Sequence, residues 1–138
     1  MNWFIWALFS AFFAGLTAVL AKVGVQQVNS NLATAIRTVV ILIFAWSVAL
    51  FTKNQSITTI GRRTWLFLIL SGIATGLSWL CYFRALQLGE ASQVAPVDKL
   101  SVVIAIALAA IFLHEPLTWV HWVGGLLILT GAMVLAYA

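Results

Sequence analysis

The residues of this chain with the most chemistry in them lie in the run from Ala91 to Glu115, ASQVAPVDKLSVVIAIALAAIFLHE. Its second half, Leu100 to Leu113, carries no charge and reads as a helix in lipid, while its first half holds Pro96, Asp98 and Lys99. If a helix starts near Ser92, Asp98 sits about 9 Å below that start at 1.5 Å rise per residue. An ionisable residue at that depth costs roughly 2.5–3.5 kcal/mol at the helix centre on insertion scales, so it ordinarily has a partner or a job. Arg37 lies about 9 Å inside the second apolar stretch by the same rise, and Lys22 approaches from the end of the first. Two arrangements are open. Arg37 and Asp98 can neutralise each other inside a bundle while Lys22 and Lys99 snorkel to the surface. Alternatively, two or three cations around one carboxylate form a basic pocket for an anionic or zwitterionic solute. The two are compatible where the pair also lines a path.

The elements that must position these residues are membrane spans. The chain has 138 residues, of which 64% are hydrophobic and only 7% charged, and its mean hydropathy is +1.11. Seven Lys/Arg and three Asp/Glu cannot cover a soluble domain of this size. The expected fold is therefore all-α and integral to the membrane. At about 20 residues per span there is room for five transmembrane helices in one domain and for no extramembrane domain. The net charge of +4 is no nucleic-acid signal, because the basic residues form neither a run nor a face. Cys81 has no second cysteine to pair with, and no metal cluster or cofactor is expected. No Ser-His, Asp-Asp or His-E-x-x-His arrangement falls at membrane depth, so an enzyme is not expected. The N-terminus, MNWFIWALFS, lacks the basic region of a signal peptide and reads as a retained span.

In chain order, the first helix is expected over 3–25, with Ala11, Gly15, Ala18 and Lys22 on one face, small along its length and basic at its end. The second is expected over 31–51, where Asn29, Ser30 or Asn31 can cap it and where Asn31, Thr34, Arg37 and Thr38 share a face. The loop 52–63 holds Lys53, Arg62 and Arg63. The third helix, over 64–88, stacks Ser71, Thr75, Ser78 and Tyr82 on one face beside Gly72 and Gly76, continued by Trp79 and Phe83. That stripe fits a water-filled path. It fits ordinary packing equally well, since each hydroxyl can bond its own i−4 carbonyl. Gly89 and Glu90 turn the chain into a fourth helix over 92–113. Pro116 suits the first position of a fifth over 117–137, with Glu115 near the positive end of its dipole. His114 and His121 are expected at the membrane surface and make a poor case for metal. Gly124, Gly131 and Ala138 recur every seven residues as a contact face within or between subunits.

Five spans put the chain ends on opposite sides. The N-terminal side holds Lys53, Arg62, Arg63 and Glu115, and the other holds Lys22, Arg37, Arg84, Glu90, Asp98 and Lys99. Each pole sums to +2, so the loop between Lys53 and Arg63 only weakly favours its own side as cytoplasmic. A near tie fits a chain that inserts both ways up, and two opposed copies form an inverted pair. Trp3, Trp6, Trp65, Trp119 and Trp122 fall near one surface, and an antiparallel dimer would give each leaflet such a belt.

The stretch LSWLCYFRALQLGEASQVAPVDKLSVVIAIALAAIFLHEPLTWVHWVGGLLILTGAMVLAY resembles the EamA-like repeat of the drug/metabolite transporter superfamily. The likeness rests on an aromatic-rich third helix ending in Ala85-Leu86 and Gly89. It rests also on Ser92 to Ser101 with Pro96 and Lys99, on Glu115, and on Gly124, Gly125 and Gly131. The first two helices, with AKVG and SNLATAIRT, fit the five-span version of that family. The resemblance implies a secondary carrier for a small metabolite or drug-like solute, working by alternating access in a cell (inner or plasma) membrane. It implies that this chain is one half of an inverted-repeat carrier, completed as a homodimer with the two copies antiparallel. The small multidrug resistance proteins of that superfamily carry an acid in helix 1, where this chain has Thr17 and Lys22, so their proton antiport is not carried over. The residues expected to line the path are Lys22, Arg37, Trp79, Tyr82, Asp98, Lys99 and Ser101. In it Arg37 and Lys99 would attract a carboxylate or phosphate, Asp98 would hold Arg37 or take a cationic group, and Trp79 and Tyr82 would form an aromatic wall. The alternative is a non-transporting membrane subunit that packs against a partner through Gly72/Gly76 or Gly124/Gly131.

Overall fold

The computed structural model describes residues 2–52 and 57–137, and of Thr58 the backbone alone. Lys53, counted above in the basic loop, and Ala138, counted in the seven-residue repeat, lie outside the described residues. The helices are α1 (Trp3–Val25), α2 (Ser30–Thr52), α3 (Arg62–Leu88), α4 (Ala91–Asp98), α5 (Leu100–Phe112) and α6 (Trp119–Ala136), with a 3-10 turn at Ile57–Thr59 between α2 and α3. There is no strand among the described residues. Five segments are long and apolar enough to cross a membrane: α1, α2, α3, the run Ala91–Phe112 that contains α4 and α5, and α6. At 1.5 Å per residue they extend about 27 to 40 Å, against a hydrocarbon core of about 30 Å. Apolar side chains cover their outer faces, as at Phe44, Leu66 and Ile104, because lipid rather than water is the solvent there.

The chain divides into two compact units, one formed by Met1–Val23 with Leu88–Ala138 and the other by Gly24–Gln87. In the first, α4 and α5 both pack on α6. The buried positions of α6 are Gly125 and Ala132, which are seven residues apart. The expected face was Gly124 and Gly131. It lies one residue round the helix, and Gly131 is exposed. On α1 the small face turns inward at its far end, where Ala18 is buried and Lys22 half-buried, whereas Ala11 and Gly15 are exposed.

Two boundaries differ from expectation. The fourth span is not one continuous helix, because Lys99 separates α4 from α5. Pro96 inside α4 has no amide to give to the carbonyl four residues back, and its ring crowds that turn. The chain tightens there, with the Lys99 amide donating to the Pro96 carbonyl (3.0 Å) and the Val102 amide to that of Lys99 (3.0 Å). Pro116 does not start the last helix. Residues 114–118 are non-helical, and α6 begins at Trp119 behind Thr118. Thr118 wins because it can take part in a capping box with His121, whose Nδ1 accepts the Thr118 amide at 3.1 Å. Pro116 has no comparable donor or acceptor to offer.

Just past the end of α5 stands the single non-glycine residue with positive φ among the described residues, His114 at 54°. The Leu113 and Glu115 amides both reach back to the Ala109 carbonyl, at 3.0 and 3.3 Å. A left-handed residue just past a helix end closes such a turn, and histidine tolerates that region better than a β-branched residue. His114→Val is expected to destabilise the chain by roughly 1–2 kcal/mol, and His114→Gly to be neutral or slightly stabilising. Thermal unfolding of the detergent-solubilised chain measures both. Equal melting of the valine variant and the wild type would mean that the turn relaxes.

Candidate functional site

Each unit carries part of the chemistry expected from the sequence. In the unit Gly24–Gln87, α2 starts at Ser30 with Asn29 as its cap, Asn29 Oδ1 accepting the amides of Asn31 (2.9 Å) and Leu32 (3.4 Å). Asn29→Ala is expected to cost about 1 kcal/mol, readable as a lower melting temperature with the helix content unchanged. One turn on, Thr34 is buried and its hydroxyl donates to the Ser30 carbonyl at 2.9 Å, while Thr38 donates to Thr34 at 2.8 Å. These hydroxyls are consumed by their own helix. Arg37 is the charged group of this face.

The Arg37 guanidinium carbon lies 4.8 Å from the centroid of the Trp79 ring and 5.3 Å from that of Phe83. Trp79 and Phe83 are four residues apart on α3 and so project from one face. Phe83 is 97% buried, and Tyr82 meets it edge-on with centroids 6.4 Å apart. Both distances fall within the range of cation–π attraction, which strengthens as the cation is desolvated. No Asp or Glu occurs anywhere between residues 24 and 87. Among the described residues of this unit the cation therefore rests on aromatic rings and meets no carboxylate. Trp79 and Tyr82 were expected as an aromatic wall. Phe83 was not singled out as a site residue, although its i, i+4 spacing from Trp79 was the available signal.

At the end of α3 a second group is structural. Arg84 Nη1 donates to Gln87 Oε1 at 2.8 Å. Gln87 Nε2 donates to the carbonyls of Val28 (2.8 Å) and Val25 (3.3 Å). Gln87 thus supplies hydrogen bonds to the backbone that links α1 to α2. Nothing in the sequence marked this glutamine. The hydroxyl stripe of α3 is spent at least in part on its own backbone, since Thr75 donates to the Ser71 carbonyl at 2.9 Å. A methyl group added at Gly72 or Gly76 would meet nothing within 4 Å.

In the other unit, Lys22 Nζ donates to the carbonyl of Gly89 at 2.7 Å. Gly89 stands just past the end of α3, where carbonyls are left without helical partners. Lys22 therefore has a structural role in addition to any role on a path. Asp98 is the last residue of α4 and Lys99 forms the break, and the two make an ion pair at 3.3 Å with Asp98 35% and Lys99 54% exposed. An exposed pair between sequence neighbours is worth little in itself. Ser101 is exposed in the first turn of α5. Lys22, Asp98, Lys99 and Ser101 thus belong to one unit, and Arg37, Trp79 and Tyr82 to the other.

Between α5 and α6 lie two small apolar cavities. One of about 120 Å³ is walled by Ile106, Trp122, Gly125 and Leu129 among others. The second, about 320 Å³, is bounded by Ala105, Ala109, Leu117 and the polar groups of Glu115 and His121. Neither contains any of the seven residues named from the sequence.

Over residues 1–137 the chain matches the EamA-like transporter family. An uncharacterized transporter in the cobO 3' region of Sinorhizobium sp is 56% identical over 136 residues, which are 98% of this chain and 96% of that protein. An uncharacterized protein of Methanocaldococcus jannaschii is 30% identical over 94% of this chain and 92% of its own length. The uncharacterized transporter YvbV of Bacillus subtilis is 44% identical over 63 residues. That stretch is 46% of this chain but 21% of YvbV, which is thus roughly twice as long. No solved structure matches the chain.

Proposed function

Because this chain belongs to the EamA-like transporter family and is a multi-pass membrane transporter, we propose that it is a secondary carrier that moves a small metabolite or drug-like solute by alternating access, as a homodimer of opposed copies in the cell (inner or plasma) membrane. The observation that carries this reading is an arginine within a membrane span that rests on Trp79 and Phe83 in a unit devoid of acidic residues. A cation at that depth is costly and marks a solute path by default. Lys22, Arg37, Trp79, Tyr82, Asp98, Lys99 and Ser101 line the path in this proposal. The discontinuity at Lys99 supports it, because carriers build their sites where transmembrane helices are broken. The length difference from YvbV supports the half-size reading, in which two copies supply what a chain of twice the length holds in one. The even charge balance of the two poles supports opposed insertion.

The test has two parts. A C-terminal tag is labelled from each side of intact cells and of inverted vesicles. Purified protein in proteoliposomes is assayed for counterflow of radiolabelled organic acids, amino acids, nucleosides and sugar phosphates. Labelling from both sides with counterflow of at least one solute is expected. Labelling from one side overturns the opposed homodimer. Absence of counterflow for every solute overturns the carrier and favours a non-transporting subunit, for which the open faces at Gly72 and Gly76 would be the contact.

A further inference from the structure

We infer that Arg37, seated on Trp79 and Phe83, receives the carboxylate of a monoanionic organic solute with an apolar body, and that the half-buried ring of Trp79 sets the preference for that body. The inference rests on the carrier reading for the statement that a solute reaches the site, and it narrows the solute to one chemical class.

The geometry supplies three constraints. First, an aromatic ring attracts a guanidinium through its quadrupole but offers its N–H groups no oxygen acceptor. Among the described residues, the Arg37 guanidinium has the contacts to Trp79 and Phe83 and no hydrogen bond. A carboxylate matches those edges as a planar two-oxygen acceptor, and such a pair is the strong, directional case of hydrogen bonding. Second, the charge that can be accepted is one. Arg84 is engaged by Gln87, and Arg62 and Arg63 are the first residues of α3. Among the described residues of this unit, Arg37 is the cation that stands well within a span, about 10 Å along α2 from Ser30 by helix rise. One carboxylate neutralises it, whereas a phosphate dianion would leave an uncompensated charge in a low-dielectric setting. Third, no acidic residue between 24 and 87 could receive an ammonium group, and Asp98, in the other unit, is paired with Lys99. An amine or a zwitterion is therefore disfavoured against a simple acid. The accessible surfaces here, on the half-buried Trp79 and Tyr82, are largely aromatic, so a polyol would lose water while gaining few partners there.

The experiment is calorimetric binding to the full chain in phosphatidylcholine nanodiscs, which contain no lipid carboxylate to compete. The probes are benzoate, acetate, benzylamine, phenylalanine and inorganic phosphate. Benzoate is expected to bind at least roughly tenfold more tightly than phenylalanine and phosphate, with no binding of benzylamine. Arg37→Gln is expected to weaken benzoate by roughly tenfold or more. Arg37→Lys keeps the charge but loses the flat fork, and is expected to fall between wild type and Arg37→Gln. Trp79→Leu is expected to weaken benzoate several-fold and acetate less. Monodispersity and melting of each variant confirm that it is folded, and if Arg37→Gln does not fold, the order of Arg37→Lys below wild type decides. Tighter binding of phosphate, phenylalanine or benzylamine than of benzoate overturns the inference. So does benzoate affinity indifferent to Arg37, or the absence of benzoate binding. Counterflow keeps the two readings apart. Flux of another solute without benzoate binding leaves the carrier standing and removes the carboxylate site. Arg37-dependent benzoate binding without flux of any solute does the reverse.

Discussion

Arg37→Ala is expected to lower counterflow of the transported solute by roughly one to two orders of magnitude while the protein still inserts and purifies as the wild type does. The size follows from the interaction removed. A hydrogen bond to a charged group contributes about 1.5–3 kcal/mol, which corresponds to about 10- to 150-fold in affinity or rate. The expected sparing of the fold follows from the surroundings. Arg37 is held by Trp79 and Phe83, and its unit has no carboxylate that the substitution could orphan. Removing one partner of a buried ion pair would leave an uncompensated charge and destabilise the chain strongly, whereas here the removed charge leaves two aromatic faces and a space. Counterflow and thermal unfolding measured on one preparation separate the outcomes. Wild-type flux in Arg37→Ala would remove Arg37 from the path. Loss of flux together with loss of folded protein would make its contact with the rings a structural one.

Lys22→Met is expected to differ in its balance, with stability reduced by about 1.5–3 kcal/mol and flux per folded molecule lowered less than in Arg37→Ala. The Lys22 ammonium donates to the Gly89 carbonyl at 2.7 Å, beyond the last helical residue of α3, where the backbone has unpaired acceptors. A cation at a helix C-terminus also meets the negative end of the dipole. Methionine keeps the length of the side chain and its apolar stem but can donate nothing. Lys22→Arg can still reach the carbonyl and is expected to recover most of the loss. Chemical unfolding of the solubilised chain gives the stability difference, and counterflow normalised to folded protein gives the activity. Unchanged stability with lost flux would leave Lys22 its place on the path and remove the structural role.

Much of this architecture could be read from the amino-acid sequence. The number of spans was legible because hydrocarbon leaves few choices: a backbone without water must satisfy its own hydrogen bonds, and helices of about 20 apolar residues do so. Trp3–Val25 was legible to its last residue because apolar composition and a polar link bound it on either side. The ends at Lys99 and Trp119 were not, because each depends on competition between local groups. Pro96 takes effect three residues downstream through a tightened turn, and Thr118 prevails over Pro116 only once the His121 side chain is in reach.

The site divides in the same way. Composition determined that Arg37, Asp98 and Lys99 are ionisable groups in membrane spans, that Trp79 and Tyr82 are aromatic neighbours on α3, and that no acid lies between residues 24 and 87. These follow from residue type and helical period, which require no partner. Tertiary structure decided what each group touches. It put Arg37 over Trp79 and Phe83, gave Lys22 to the Gly89 carbonyl, and set Gln87 against the backbone of Val25 and Val28. It also buried Gly125 and Ala132 instead of the face one residue away. A long side chain on a span can turn to an acid, a ring or a carbonyl at similar cost. Only the approach of a second segment, often more than fifty residues away in sequence, determines which of them is within reach.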